Sequence, residues 1–572
     1  MRHDRREVGP SPVAPTALAW ILPAWRDLGL CVLGLSVLTL APAAPAHAQD
    51  MVFSVEDTDQ EPLPPEDGPP SEAMANALRL YAQERYLEAS VQFQRVVSGE
   101  TQDAPANVQK GQFFLGKALY HLRFYQSALA IFDEITQNTN HQYFGQTLQW
   151  LAQLATQLPE PAGIIEKVGR YGTDELEQFN NDETRTLYYQ LIYLMGRFQY
   201  QQQNFDEAIR LFQLVNRESD YYVYARFFEG ISHVRQRSAQ PSIAAFRAII
   251  EAIGEGVSGV EDTSRMLDLA WLSLARVYYT ASNRTDPETG DTAVDGRLLS
   301  NAVEAWNRID VGSEYWLDSL FEESWAFFLA NEYSRAMGNI HTLYSPFFDD
   351  AYYPEALVVK AVIFFTACQI ENTEAIIQQF HDRYDPVQSE LEATLAQFQD
   401  NTQFFTFLQR VRAGEADLGP RIRGIVASAL SDRTLLRNLE YVRLLEAEEE
   451  RLAATPGEFQ GSDLGNRILQ DIDLAKSFAV EQTGDLARSR YRRLIEELVE
   501  LQTQVDTIEV EVARFQRGQL SAEAQQQITE RSGSAGFDVE VDEEHQVWPF
   551  NGEFWRDELG FYRQQVTVRC GR

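Results

Sequence analysis

Between residues 71 and 386 the chain repeats one spacing of residue types, and a repeat of this kind constrains architecture before any single residue does. The spacing starts at a small residue. An aromatic or Leu follows at three, an aromatic at nine, Ala at twelve, Phe at sixteen and an aliphatic at nineteen. The clearest copy is Gly116, Leu119, Tyr125, Ala128, Phe132 and Ile135. The copy before it runs Ala77, Leu80, Tyr86, Ala89, Phe93, Val96. Later copies are Gly196, Phe205, Ala208, Phe212, Val215 and Gly230, Ala239, Ser242, Phe246, Ile249. The series ends with Phe327, Tyr333, Ala336, Ile340, Leu343 and Ala361, Phe364, Ile377, Phe380. Residues 141–175 have the length of a degenerate copy, with Leu148, Leu151 and Ala155 remaining. Small residues let paired helices approach, and the aromatics fill the gap between pairs. No pair buries its face alone, so stacking is required for a core. The expectation is an all-α superhelical solenoid.

One copy, Trp271-x2-Leu274-Ala275-x2-Tyr278 followed by Ala302, Trp306 and Ile309, carries the fullest first half of a known signature. On these residues the array resembles the tetratricopeptide repeat family, over more than half of the 572 residues. Ser242 and Ser324 stand at small apolar positions, and the closing Pro of the signature is mostly missing. The resemblance implies a concave face lined by the first helix of each pair. Its candidate partner groove is Phe113, Lys117, Tyr120, Tyr193, Arg197, Tyr200, Tyr224, Phe227, Arg276, Tyr279, Phe321, Trp325 and Phe328. Rings with a Lys or Arg in one row suit an extended peptide or helix. The same rings could instead pack between adjacent pairs. The family's two-Lys, two-Asn carboxylate clamp is not reproduced.

The ends of the chain read differently. Arg2, Arg5, Arg6 and Arg26 precede or flank the apolar run Leu28–Leu40, and Ala46-His47-Ala48 follows. This is a secretory signal over 1–48, with an uncleaved anchor as the alternative. Residues 49–70 are acidic and Pro-rich, a disordered linker by composition. After a helical transition at 387–420, Leu435, Leu439, Val442, Leu445 and Leu452 form one apolar stripe. Tyr491, Leu494, Leu498, Leu501, Val505, Ile508, Val512 and Phe515 form a second. Pro456-Gly457 and Gly461-Ser462 separate them, so an antiparallel coiled-coil hairpin over 421–518 is expected, 421–454 against 463–518; a parallel two-chain coil is the rival. A flexible linker at 519–544 leads to an aromatic tail at 545–572, expected to dock on the coil base or the last repeats, or to anchor a partner. Ser282–Arg297 interrupts one repeat with four Asp or Glu; a solvated acidic loop is favoured over a calcium loop.

Composition excludes several functions. Net charge is −36, against nucleic acid and anionic lipid as main partners. Three Cys exclude a disulfide-dense scaffold and multi-Cys metal sites. Cys368 and Cys570 could pair in an oxidising compartment, or stay a buried and a tail thiol. No H-E-x-x-H, G-x-S-x-G or P-loop occurs, and the Glu-Ser steps Glu218-Ser219 and Glu323-Ser324 fall inside the array. The expectation is no enzyme activity, no cofactor and no metal.

The function expected is a periplasmic scaffold or adaptor in a bacterial envelope complex. Its partners would be other envelope proteins or peptides, and it would be a monomer or coiled-coil dimer with no membrane span after signal removal. Ser345-Pro346-Phe347-Phe348, Tyr353-Pro354-Glu355-Ala356 and Trp548-Pro549-Phe550-Asn551-Gly552-Glu553 resemble segments of gliding-motility proteins of this type. The alternatives are an outer-membrane or peptidoglycan assembly or division coordinator, and an oligomeric structural envelope protein.

Overall fold

The structure is a computed structural model that describes residues 68–285, 292–348, 351–430, 433–526 and 546–570. Residues 1–67, with the expected signal and most of the expected acidic linker, and residues 527–545 lie outside them. The described residues form an all-α superhelical solenoid of 22 α-helices. Its paired helices are α1 (Glu72–Ala82) with α2 (Tyr86–Val97), and α3 (Pro105–His121) with α4 (Tyr125–Thr136). The degenerate third unit has α5 (Phe144–Gln157) and two short helices, α6 (Ile164–Val168) and α7 (Thr173–Glu177). Next come α8 (Arg185–Gln201) with α9 (Phe205–Leu214), α10 (Tyr222–Arg235) with α11 (Ala239–Gly254), and α12 (Thr263–Ser282) with α13 (Gly296–Trp306). The array closes with α14 (Trp316–Leu329) and α15 (Tyr333–Leu343), then α16 (Pro354–Thr366) and α17 (Ile370–Leu395).

The spacing of the sequence becomes contact in each pair. A Cβ built on Gly116, Gly196 or Gly230 would lie 2.8, 2.6 or 2.8 Å from the ring sixteen residues on, Phe132, Phe212 or Phe246. Glycine is therefore what lets the second helix close on the first. A further regularity was not read from the sequence. Seven residues after the small one, the backbone turns left-handed at Glu84, Arg123, Gln203, Arg237, Asn331 and Cys368. The next amide then reaches back to a carbonyl five residues earlier, as in Phe124 N to Leu119 O (2.9 Å) and Gln369 N to Phe364 O (2.9 Å). This ends the first helix by satisfying its loose carbonyls. The α12–α13 pair lacks that turn. There the insertion is partly ordered, with β1 (Asn283–Thr285) antiparallel to β2 (Thr292–Val294), and the Asp295 side chain caps α13. Ala293 and Val294 of the insertion are exposed, and residues 286–291, with three of its four carboxylates, lie outside the described ones.

The C-terminal helices depart from the expected hairpin. They are α18 (Asn401–Ala413), α19 (Pro420–Ala429), α20 (Arg433–Ala453), the short α21 (Gly457–Gln460) and α22 (Asp463–Gln526). Helix α22 has 64 residues, about 96 Å at 1.5 Å per residue, and α20 has 21, about 32 Å. The short arm can pair with only the first third of the long one. The seam from Tyr491 to Phe515 therefore packs elsewhere, on α16, α17 and α18. Tyr491 meets Phe404 and Phe407, and Phe515 meets Phe365. At Gly484 of α22 an added Cβ would sit 1.9 Å from the Asn401 carbonyl oxygen, so the small residue permits that approach. At its other end α22 reaches α4, where Arg467 pairs with Glu134 at 2.6 Å. One helix thus ties the second pair to the last. No helix among the described residues is long and apolar enough to cross a membrane.

Residues 546–570 lie on α14, α15 and α16, and Cys570 is joined to Cys368 by a disulfide.

Candidate functional site

The inner face of the array is occupied by the chain's own α20. Arg451 Nη1 donates to Arg123 O (2.7 Å) and the Glu448 carboxylate accepts from Gln126 N (3.1 Å) at the α3–α4 turn. Tyr441 Oη donates to Gln126 (2.7 Å), Arg437 lies 3.5 Å from Glu160, and Arg433 lies 3.6 Å from Glu314. Residues 123 and 314 are separated by ten helices, α4 to α13, two of them very short, and the longer ones alone give roughly 70 Å of contour at about 8–10 Å per helix. A helix of about 32 Å touches both. The array must curl, and α20 lies inside the curl.

That geometry corrects the expectation of an open groove. In the early repeats Lys117 is 5% exposed, with its ammonium 4.5 Å from the Phe114 ring centre and 5.5 Å from that of Trp150. Phe113 stacks on Tyr143 at 4.5 Å, and Tyr120 stands edge-on to Trp150. Tyr193 is buried among Tyr221, Phe212 and Phe228, and Tyr200 packs on Phe205 and Phe228. Tyr224 and Phe227 are buried, Phe227 against Phe246. Arg197 is 3% exposed, 4.2 Å above Phe228, and binds Glu160 at 2.5 Å. Glu160 also meets Arg437, so one carboxylate joins the array to the arm. Burial alone would depress the Arg197 pKa, but Glu160 holds it above the usual value. Arg437, more desolvated than compensated, falls to about 10.

The late repeats hold a different set. Arg276 binds Glu322 through Nη2 (2.5 Å) and Nε (2.9 Å), and Trp306 Nε1 donates to the same carboxylate at 3.2 Å. Tyr279 packs on Trp306, Phe321 on Tyr353, and Phe328 on Trp325 and Tyr333. Trp325 Nε1 donates to Glu355 at 3.1 Å. Burial raises Glu355 to about 8, with Glu497 and Glu500 of α22 and Glu322 adding repulsion. Asp318, hydrogen-bonded by Tyr353 Oη at 2.7 Å, is also raised by burial.

The thirteen candidate residues thus serve as packing within and between pairs and as partners of the chain's own groups. The residues missed were the counter-charges: Glu160, Glu322, Glu355, Arg437 and Glu448. A buried Arg in a repeat row does demand a carboxylate, which is the one signal available. Which carboxylate answers it depends on the curl.

No protein-family model matches this sequence, and no curated protein matches it. Among solved structures, the crystal structure of the apo form of RapI is similar to this chain at 10% identity. The match covers 67% of this chain and 97% of that one, with a TM-score of 0.30.

Proposed function

We propose that this chain is an exported, non-enzymatic protein–protein scaffold of a bacterial envelope complex, a tetratricopeptide-type superhelix braced closed by its own helices. The observation that carries the reading is the brace. Helices α20 and α22 fix the second pair to the last, turning repeats that contact only their neighbours into one body. Such a body offers large shaped surfaces and keeps its inner charges for itself. Export is supported by the N-terminal pattern of basic residues, apolar run and Ala46-His47-Ala48. It is also supported by a disulfide between residues 202 apart, a bond favoured in oxidising compartments. Within that class, the segments around Phe347, Tyr353 and Trp548 favour a complex of the gliding-motility kind. The Tyr491–Phe515 stripe finds its cover within the chain, so no observation favours the two-chain coil over the scaffold.

The test is cross-linking in intact cells, purification from the envelope fraction and identification of what is attached. Wild type is run beside Phe561→Ser, which removes a ring that is 72% exposed. A defined set of envelope proteins is expected with wild type. Recovery of this chain alone would overturn the scaffold reading in favour of a self-assembling structural protein.

A further inference from the structure

The C-terminal segment is attached to the array by backbone hydrogen bonds, a few side chains and a disulfide. From Glu553 to Cys570 it carries only two buried aliphatic anchors, Leu559 and Val566. Tyr562 and Val568 pack on the core in part, and four hydrogen bonds to the array run through the segment's main chain. Gly560 N donates to Thr342 Oγ1 (2.9 Å), Gln564 N to Ser334 O (3.0 Å) and Arg569 N to Ala367 O (2.8 Å); Thr567 O accepts from Gln369 Nε2 (2.6 Å). Residues 556–561 form a turn, and over 562–570 the chain is held as an extended peptide is held on a surface: backbone bonds hold it, and a few side chains set its position. The receiving surface is shaped for it. A Cβ on Gly338 of α15 would stand 1.6 Å from the Tyr562 carbonyl oxygen, so even alanine there excludes the segment. The His341 ring stacks on Phe554 (4.5 Å) and meets Phe550 and Tyr562 edge-on at 4.6 and 5.0 Å.

Few anchors and a handful of net hydrogen bonds oppose the entropy of ordering eighteen residues of chain, and each such bond contributes little once water is counted. The covalent link closes that gap. Cys368 stands at the left-handed turn between α16 and α17, where it is half-buried, and Cys570 is exposed. A reductant can reach the bond without unfolding anything.

We propose that residues 553–570 are a strap locked by the Cys368–Cys570 disulfide, and that a dithiol reductant opens it to bare an extended-peptide seat on α14–α16. In the exchange, a thiolate of the reductant attacks the exposed Cys570 sulfur and Cys368 departs as thiolate. The second thiol of the reductant then displaces Cys570. Two electrons pass to the protein, both cysteines take up protons, and the reductant leaves as its own disulfide. The strap is independent of the scaffold reading, because it is read on purified protein and not through partners.

The experiment is amide hydrogen exchange with mass analysis on the full chain, oxidised and after dithiothreitol, with Cys570→Ser beside wild type. Peptides spanning Gly560, Gln564 and Arg569 should exchange at least tenfold faster once reduced, and equally fast in the variant. Peptides from α15 and α16 should follow, while α1–α4 stay unchanged. A synthetic peptide of residues 553–570 with Cys570→Ser should restore protection on α15. Gly338→Ala, which improves helix propensity, should speed exchange at Gln564 with the disulfide intact by mass. Unchanged tail exchange after full reduction would overturn the lock. Acceleration spreading into α1–α4 would overturn the strap, since the bond would then be holding the whole fold. A peptide that restores nothing would overturn the seat.

Discussion

In the early repeats the inner row is cationic, with Lys117 and Arg197, and α20 crosses it bringing Arg437; Glu160 is shared between the two arginines. In the late repeats the same row and its neighbours are rich in carboxylates, with Asp318, Glu322 and Glu355 beside Arg276, and α22 brings Glu497 and Glu500. The pairs obey one spacing, yet their inner faces carry opposite charge. The early contact is fastened by opposite charges. The late contact is fastened by the apolar stripe of α22; Asp318, Glu355 and Glu497 stay tolerable because burial raises their pKa, and Glu322 is held by Arg276. The repeat spacing therefore sets how helices pair and leaves the inner charge free to vary.

The largest expected effect breaks the early fastening. Arg197→Ala leaves Glu160 short of its closest cation and should cost about 3 kcal/mol, in the range for removing one partner of a buried pair. The urea midpoint measures it, and hydrogen exchange in α20 should accelerate in this variant. Arg276→Ala should leave α20 unaffected; equal loosening of α20 by both would erase the contrast between the halves. Next, Gly196→Ala places a methyl 2.6 Å from Phe212 and should cost about 2 kcal/mol through overpacking. At Ser324→Ala of the late repeats, only a hydroxyl bonded to Leu320 O (2.8 Å) is lost, and the change should stay under about 1 kcal/mol.

The third prediction concerns pH. Burial raises the pKa of Glu355 in the folded chain to about 8, against 4.5 for a solvated glutamate. Between those values the folded chain holds a proton that the unfolded chain has released. Its contribution to stability is complete below pH 4.5 and is lost as pH rises through 8. Glu355→Gln carries no such proton, so it should match wild type at pH 4.5 and exceed it at pH 8.5 in urea midpoint. Taking the difference between the two proteins cancels His141 and His341, whose lowered values act in the opposite direction. A difference that does not change with pH would remove the acidic half of the comparison. The smallest effect is expected at Arg443→Ala, an exposed pair with Glu440 on the outer side of α20. It should move stability by less than about 0.5 kcal/mol.

Much of the array was legible from the chain. The distance from Gly116 to Phe132 in sequence became a close contact in space because both lie within one helical pair, where geometry is local. The stripes at Leu435–Leu452 and Tyr491–Phe515 were legible as apolar faces of helices for the same reason. Their pairing was not. Both stripes fit a mutual seam equally well on paper, and it took the lengths of α20 and α22 and the position of α18 to send Tyr491 to Phe404. The thirteen inner-row residues were placed on one side of the array, but as rings awaiting a partner. The partner that fills the curl lies some 240 residues after Arg197 in sequence, at Arg437.

The sequence by itself determined that this protein is a stack of helical pairs, where each small residue and each Phe would meet, and which later helices carry apolar stripes. These are contacts within about twenty residues, written in spacing. Only the tertiary structure decided that the array curls around α20, that Glu160 serves two arginines, that α22 braces the second pair against the last, and that Gly338 makes room for Tyr562. The physical reason is accumulation. A small rotation between neighbouring pairs, invisible in any one repeat, adds up from α4 to α13 to bring distant residues together, and their charges and volumes then choose among the partners so presented.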